Sequence, residues 1–488
     1  MKLALVNLSI DAITAPMGLC YIATYLEKYS NFKDTVIIDI NWENIFQKVE
    51  EIKPDIIGLS AMTAYYPAAI RIAKKIKEKH NIPIIIGGNH ISSLPECLKD
   101  CFDIGVLGEG ERTTKELVDL YIKKGKFLPN DLRDINGIVF HENDKLTITE
   151  ERQLIEPLDK IPIPNYQYLN KNYSRKRRSF VTGDREVTYT LFTSRGCPYR
   201  CVYCSPTVLW KKVRFFSLEH IIREIKKAMG EYGATLIAFS DDLFAVSNER
   251  MRGLYEKLKE ADLIGKVKFA GTLRANLVDD ELCILLKKMG FVCTSTGYES
   301  GNEEMLKYLK ANSVTVKQNY NAIRLFEKHK LNNFGMFIMA SPGETLDQMR
   351  DTLKLIKFAY NHHTAFIYVF MMKAFPKTKI WDIAKERGLV SNDMDWEIMN
   401  LFVDGMHEAN KPLMLDKNID IKEFKKIHNK ALMYSRLIVA KRFIRSFIKH
   451  PIGTLQEMGN PWIFIKKAIT SSNTLKIIQK EKGISTEN

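Results

Sequence analysis

Two hydrophobic rhythms alternate along the first 107 residues of this 488-residue chain. Short β-branched runs (Leu3–Leu8, Thr35–Asp39, Asp55–Leu59, Pro83–Gly87 and Asp103–Leu107) are separated by stretches such as Ala68–Glu78, where apolar residues recur at helical spacing. Five strands divided by helices predict a doubly wound, flavodoxin-like parallel sheet. Such sheets bind ligands beyond the carboxyl ends of their strands. The residues expected there are small or polar: Met17 and Gly18 after the first strand, Ser60 to Thr63 after the third, Gly87, Gly88 and His90 after the fourth, and Gly108, Glu109 and Gly110 after the fifth. Glycine at these ends lets a large ligand approach the backbone.

Between Glu142 and Asp184 the periodicity lapses and prolines gather, as in Glu156–Tyr166, which reads as an ordered connector. Strand and helix signals then resume, with strands expected at Val187–Thr193, Thr235–Ser240, Val267–Thr272, Val292–Thr296, Gly335–Ala340 and Ala365–Phe370. Six βα units predict an incomplete barrel whose active site lies at the carboxyl ends of its strands. The expected organisation is a ligand-binding domain over 1–140, a linker over 141–184, a catalytic domain over 185–400 and a helical, basic region over 401–488.

Charge changes the picture only at the far end. Of the formal net charge of +15, much falls between Lys417 and Asn488, where 15 Lys and Arg face 5 Asp and Glu. Nucleic acid, anionic membrane and anionic substrate all suit such a region. On a helical wheel of Leu437–Lys449, Leu437, Ala440, Phe443, Ile444, Phe447 and Ile448 share one side and Lys441, Arg442, Arg445 and Lys449 the other, with Ile438 the exception. That pattern fits a helix packed on the barrel with a solvated basic face, or one lying in an anionic membrane surface; the later stretch Pro461–Lys467 adds apolar weight to the second. No apolar run approaches the length of a membrane span and the amino terminus has no signal-peptide pattern, so a cytoplasmic protein is expected. The basic stretch Lys171–Arg178 reads as a solvated run, and without interleaved aromatics no specific nucleic-acid partner is predicted.

The candidate chemistry sits directly after the first barrel strand. Cys197, Cys201 and Cys204 are spaced C-x3-C-x2-C. Three thiolates on one loop can hold an iron–sulfur cubane and leave one iron open to a chelating small molecule. Zinc would want four ligands, and no second pair lies nearby. The remaining cysteines (Cys20, Cys97, Cys101, Cys283 and Cys293) are scattered and read as buried small hydrophobes, so no auxiliary cluster is expected.

This loop resembles that of the radical S-adenosylmethionine enzymes, and the preceding sheet, with Gly87-Gly-Asn-His90 and Gly108-Glu-Gly-Glu111, resembles the cobalamin-binding domain of the large cobalamin-dependent group within them. The resemblance covers roughly residues 1 to 400. It implies a [4Fe-4S] cluster on Cys197, Cys201 and Cys204, S-adenosyl-L-methionine on the open iron, and Tyr203 near the adenine. By the same resemblance Asp241 and Asp242 meet the methionine ammonium group, Glu299 and Ser300 meet the ribose hydroxyls, and Gly343 and Glu344 shape the adenosine end. Arg274, after the third strand, is suited to pairing a carboxylate. Lys377 stands where relatives have glycine in Tyr-Pro-Gly-Thr, against a close backbone contact there. Cobalamin is expected in the first domain without a histidine ligand, since no Asp-x-His-x-x-Gly occurs; the alternative is a sheet that has lost the cofactor.

The expected function is methyl transfer to an unactivated carbon of a small or lipid-like substrate, with a one-electron reductant such as flavodoxin or ferredoxin as partner. The alternative outcome of the same radical step is ring formation, coupling or rearrangement in a lipid, tetrapyrrole or natural product. An RNA-modifying protein is the third reading. Peripheral contact with the inner face of the membrane would go through the basic helix.

Overall fold

The computed structural model describes residues 1–399 and 412–449, apart from Asn31, Phe180, Lys211 and His363. Five parallel strands form the first sheet: β1 (Leu3–Asn7), β2 (Thr35–Asp39), β3 (Ile56–Ser60), β4 (Ile84–Gly87) and β5 (Ile104–Val106), in the order β2-β1-β3-β4-β5. The central strands are apolar on both faces because helices cover both. An antiparallel hairpin, β6 (Ile138–Glu142) and β7 (Lys145–Ile148), extends the sheet beyond β5. It carries the first domain past the boundary expected at residue 140. The sequence hides β7 because an edge strand is only half-buried and shows a weak period.

The connector that follows is ordered by burial. Ile155, Leu158, Ile161, Tyr166, Leu169 and Tyr173 are buried, and they pack in one core with Cys20 and Tyr21 of the first domain and the helices of the second. The second domain has the six expected strands: β8 (Thr188–Leu191), β9 (Leu236–Phe239), β10 (Lys268–Leu273), β11 (Phe291–Glu299), β12 (Asn332–Met339) and β13 (Thr364–Met371). All are parallel and pair in chain order, leaving β8 and β13 as edges of an open barrel. Ile237, Phe239, Phe269, Leu273, Tyr298, Phe337 and Ile367 join the core under the surrounding helices. Alternate residues of the same strands therefore point into the barrel.

A buried acid lies under the helix Leu218–Glu231. Glu224 is fully enclosed; its carboxyl accepts the Tyr189 hydroxyl at 2.8 Å, and its second oxygen has no hydrogen-bond partner, with His220 Nε2 3.8 Å away. Burial pushes this acid up to about 8, so it is neutral at physiological pH. An unfolded glutamate near 4.5 releases its proton first, so stability falls as pH rises from there through about 8. Glu224→Gln is expected to match the parent near pH 5 and to melt higher above pH 8, by a difference on the order of a few kcal/mol. Thermal melts at the two pH values check this, and identical melting at pH 9 would contradict it.

The final described helix, Ile421–Lys449, packs on the helix Leu346–Asn361 and on β13, where the Ser435 hydroxyl donates to the Ile367 carbonyl at 2.6 Å. Its buried stripe is Phe424, Ile427, Ala431, Tyr434 and Ile438. The wheel expected for Leu437–Lys449 is thus turned: Ile438, its exception, is buried, whereas Leu437, Ile444 and Ile448 are exposed. The reason is that the upstream i, i+3, i+4 stripe sets the face laid on the barrel. The side chains of Phe443 and Phe447, and the stretch Pro461–Lys467, lie outside the described residues. Among the described residues no helix is long and apolar enough to cross a membrane.

Candidate active site between the two sheets

The loop after β8 is held by two carboxylates at the end of β9. Asp241 accepts the backbone N–H groups of Thr193 and Ser194 and the Thr193 hydroxyl, each at 2.7 Å. Burial raises Asp241 to about 6 against the pull of those donors. Asp242 accepts the Gly196 N–H at 3.2 Å. Gly196 has φ +93°, and a Cβ there would lie 2.6 Å from the Lys212 carbonyl, so only glycine fits. Asp241 is therefore a scaffold of the cysteine loop, with both oxygens engaged. Asp242 is exposed and lines the cavity described below.

Cys197, Cys201 and Cys204 follow on this braced turn. Burial, then the neighbouring Cys201 and Cys197 thiols, pushes Cys204 up to about 12; burial is also the main force raising Cys197. Cys201 thus bears electrostatically on both Cys197 and Cys204. Arg274 reaches in from the end of β10: it donates to Cys201 Sγ at 3.3 Å and to the Ser313 hydroxyl, and its guanidinium lies 3.7 Å from the Tyr199 ring centroid. In place of a free fork for a carboxylate, the structure shows Arg274 buried against a cysteine sulfur.

At the end of β11 a second network closes around Tyr203. The Tyr203 hydroxyl donates to Glu299 Oε1 at 2.7 Å, and Lys310 Nζ donates to the same oxygen at 2.7 Å. Glu299 has φ +58°, a backbone state that costs a non-glycine residue about 1–3 kcal/mol and recurs at functional sites. Ser300 is turned away, sharing a hydrogen bond with Thr352 at 3.1 Å. Glu344 is also internal: it accepts the Ser341 N–H at 3.0 Å, and burial pushes it up to about 8. The Gly343 N–H donates to Asp416 at 3.0 Å. Lys377, in the glycine position, takes φ +60°, so the turn keeps its left-handed geometry without the glycine. Lys310, Ser313 and Arg195 were not expected from the sequence, since nothing local in their segments signals a partner.

A cavity of about 670 Å³ opens between the two sheets. Gly18, Ser60, Gly87, Gly88, Gly108 and Gly110 line it from the first domain, and Phe192, Ser240 and Asp242 from the barrel. Met17, Thr63 and His90 do not. His90 is fully buried, stacked 3.8 Å from the Tyr66 ring and edge-on to Trp396 at 4.5 Å. Burial pulls its imidazole down to about 3, so it is neutral. Glu109 lines the cavity, but its carboxylate is spent across the domain boundary: Arg195 and Arg214 each donate to Oε1 at 2.7 Å, and Glu111 takes the other arm of Arg195 at 2.5 Å. Burial opposes ionisation of Glu109, but the two guanidiniums hold it below the usual carboxylate range.

Comparison with known proteins agrees with this geometry. The B12 binding domain matches residues 3–118 and the radical SAM superfamily matches residues 191–356. The chain therefore carries a B12 binding domain followed by the domain of a radical S-adenosylmethionine enzyme. It is 29% identical to an uncharacterized methyltransferase, PH0819, of Pyrococcus horikoshii, over 89% of this chain and 90% of that one. It is 27% identical to the anaerobic magnesium-protoporphyrin IX monomethyl ester cyclase of Rubrivivax gelatinosus, over 70% of this chain but only 62% of the cyclase. Among solved structures, OxsB with aqua-cobalamin and S-adenosylmethionine superposes with a TM-score of 0.66 over 100% of this chain and 82% of its own, at 19% identity. TsrM of Kitasatospora setae superposes with a TM-score of 0.65 over 80% of this chain and 76% of its own, at 17% identity. These two show the fold.

Proposed function

We propose that this enzyme is a cobalamin-dependent methyltransferase acting at an unactivated carbon of a small or lipid-like substrate. The observation that carries the proposal is a cavity bounded on one side by glycine-rich strand ends and on the other by the mouth of the radical barrel, with Ser194 and Arg195 just before the cysteine loop in its wall. Names of relatives point the same way: the Pyrococcus protein is called a methyltransferase, and a Streptomyces wedmorensis relative, 25% identical over 69% of this chain, is a cytidylyl-2-hydroxyethylphosphonate methyltransferase.

The residues present fit the implied groups. Cys197, Cys201 and Cys204 are soft donors on one turn, with the Arg274 cation against Cys201 to offset thiolate charge. Among the described residues no three His, Cys, Asp or Glu side chains gather tightly enough for one metal ion. Cubane ligands need not do so, because each binds a different iron. The glycine ends of β4 and β5 and of the helix Met17–Tyr29 would take the corrin, and Tyr203, Asp242 and Glu299 the S-adenosylmethionine. Bound here, these groups supply a methyl donor and a hydrogen-abstracting carbon radical. The chain's own part is positional: Asp241 fixes the loop, and Lys310 and Tyr203 orient Glu299. No histidine is placed at the cavity from the β4 loop, in keeping with cobalamin held without an imidazole ligand.

Incubating the anaerobically reconstituted enzyme and a reductant with S-adenosylmethionine deuterated on its methyl group, in the presence of candidate lipid and small-molecule extracts, tests this. A product carrying a labelled methyl group, formed with 5′-deoxyadenosine, is expected. Substrate conversion with deoxyadenosine but no label in the product would overturn methyl transfer in favour of cyclisation or rearrangement. A second expectation concerns Gly88, whose φ is +100° and where a Cβ would stand 2.6 Å from the Ala61 carbonyl oxygen. Gly88→Ala should cost roughly 1–3 kcal/mol locally and displace the loop, lowering bound corrinoid in the visible spectrum while iron content stays at the parent value.

A further inference from the structure

The inner face of the barrel is divided by chemistry. On β9, β10 and β11 the residues that alternate with the helix-side core are small: Ala238, Ala270, Thr272 and Ser295. On β12 and β13 they are mostly large: Met336 and Ile338 beside four aromatic rings. Phe334, Phe366, Tyr368 and Phe370 form a continuous set, with Phe334 against Phe366 at 4.7 Å between centroids and Tyr368 between Phe366 and Phe370 at 6.4 and 6.1 Å. None of the four belongs to a hydrophobic core of the described residues, and Tyr368 and Phe370 are 43% and 47% exposed. Single exposed hydrophobes are ordinary, but a contiguous apolar surface in a concave site marks binding.

Register ties this wall to the reaction site. Phe334 pairs with Phe366, Met336 with Tyr368 and Ile338 with Phe370, while Gly297 and Glu299 of β11 pair with Met336 and Phe337. The aromatic row therefore climbs β13 to the level of Glu299, beside Tyr203. From Phe366 to Phe370 it runs about 13 Å at the strand rise. The positions of the other strands that share this inner face are small.

Resting on the methyltransferase reading, we infer that this wall binds the hydrocarbon body of a lipid-like substrate, laid along β13 with its reacting carbon toward the Glu299 end. Continuity with the site is the argument for a substrate rather than a protein partner. The Arg442 guanidinium of the tail helix lies 5.5 Å from the Phe366 ring centroid at the lower end of the row; a small, strongly polar substrate would leave Tyr368 and Phe370 above it wetted and unused, and aromatic faces reward apolar contact area.

Binding of the apolar fluorophore N-phenyl-1-naphthylamine to the full-length protein tests the wall without knowledge of the substrate. Saturable binding of one equivalent is expected, weakened at least tenfold in both Tyr368→Ser and Phe370→Ser and unchanged in Ile284→Ser, which removes an exposed apolar residue on an outer helix. Melting temperature and bound iron establish that the variants are folded. Equal affinity in all four proteins would overturn the inference, as would no binding to the parent, which would mean the chain's own residues cover the rings. Labelled methyl transfer by the reconstituted parent, measured alongside, separates the two ideas: deoxyadenosine without labelled product but with intact probe binding removes the methyltransferase reading and leaves the wall as an apolar site, whereas labelled product without probe binding removes the wall alone.

Discussion

Cys201→Ala is expected to yield a folded protein that forms no detectable 5′-deoxyadenosine from S-adenosylmethionine and dithionite. The cysteine is the middle of three soft donors, its sulfur lies 3.3 Å from an Arg274 nitrogen, and it is the most buried of the three. Two thiolates cannot present a cubane with one open iron. Alanine fills most of the same space, and the loop's other anchors, Asp241 on Thr193 and Ser194 and Asp242 on Gly196, are untouched. A destabilisation of about 1–3 kcal/mol for an unpaired Arg274 arm is the structural cost. Deoxyadenosine is quantified by chromatography and folding by circular dichroism; parental product formation in the variant would remove the cysteine assignment.

The second large effect is expected at the domain boundary. Arg195 stands two residues before Cys197 and bridges Glu109 and Glu111 of the B12 binding domain, while Arg214 grips both oxygens of Glu109 and the Ile155 carbonyl. Arg195 is mostly buried, and the two glutamates hold it firmly charged against burial. Removing one member of such a buried network leaves uncompensated charge, at a cost of roughly 3–5 kcal/mol. Arg195→Ala should therefore lower the melting midpoint strongly, and the unfolding curve should resolve into two transitions as the domains uncouple. Deoxyadenosine should still form while labelled methyl transfer falls further, because the cavity between the sheets loses its register. Equal losses of both would mean that the pair serves only general stability. Acid should mimic the substitution: the depressed Glu109 stabilises the fold above its unfolded value near 4.5 and ceases to do so as pH falls through its lower folded value.

Much of this architecture was legible in the sequence. The five parallel strands of the first sheet and all six of the barrel stand within a few residues of the expected runs, because strands flanked by helices on both faces must be continuously apolar. The cysteine loop was legible from spacing, and the cavity-lining glycines from their place at strand ends. What the sequence hid depends on distance along the chain. Glu109 reads as one more polar residue beside glycines, yet its partners lie 86 and 105 residues away. Lys310 sits at the end of an ordinary amphipathic helix, and only the turn at Glu299 brings its amine to that carboxylate. Asp241 and Ser300 were expected at ligands, whereas buried backbone N–H groups and a helix hydroxyl claim them, as unsatisfied polar groups in an interior must be claimed. The tail helix shows the same limit, since its wheel looks amphipathic in one window and is laid down by the stripe of another.

The proposed chemistry needs two cofactors to meet in one cavity. Its most direct test is to purify the protein anaerobically from a cobalamin-supplied host and to measure iron, sulfide and corrinoid per chain by absorbance and mass spectrometry. About four irons and four sulfides together with one corrinoid is the expected result. Iron and sulfide without any corrinoid would contradict it and leave the first domain with no cofactor to deliver.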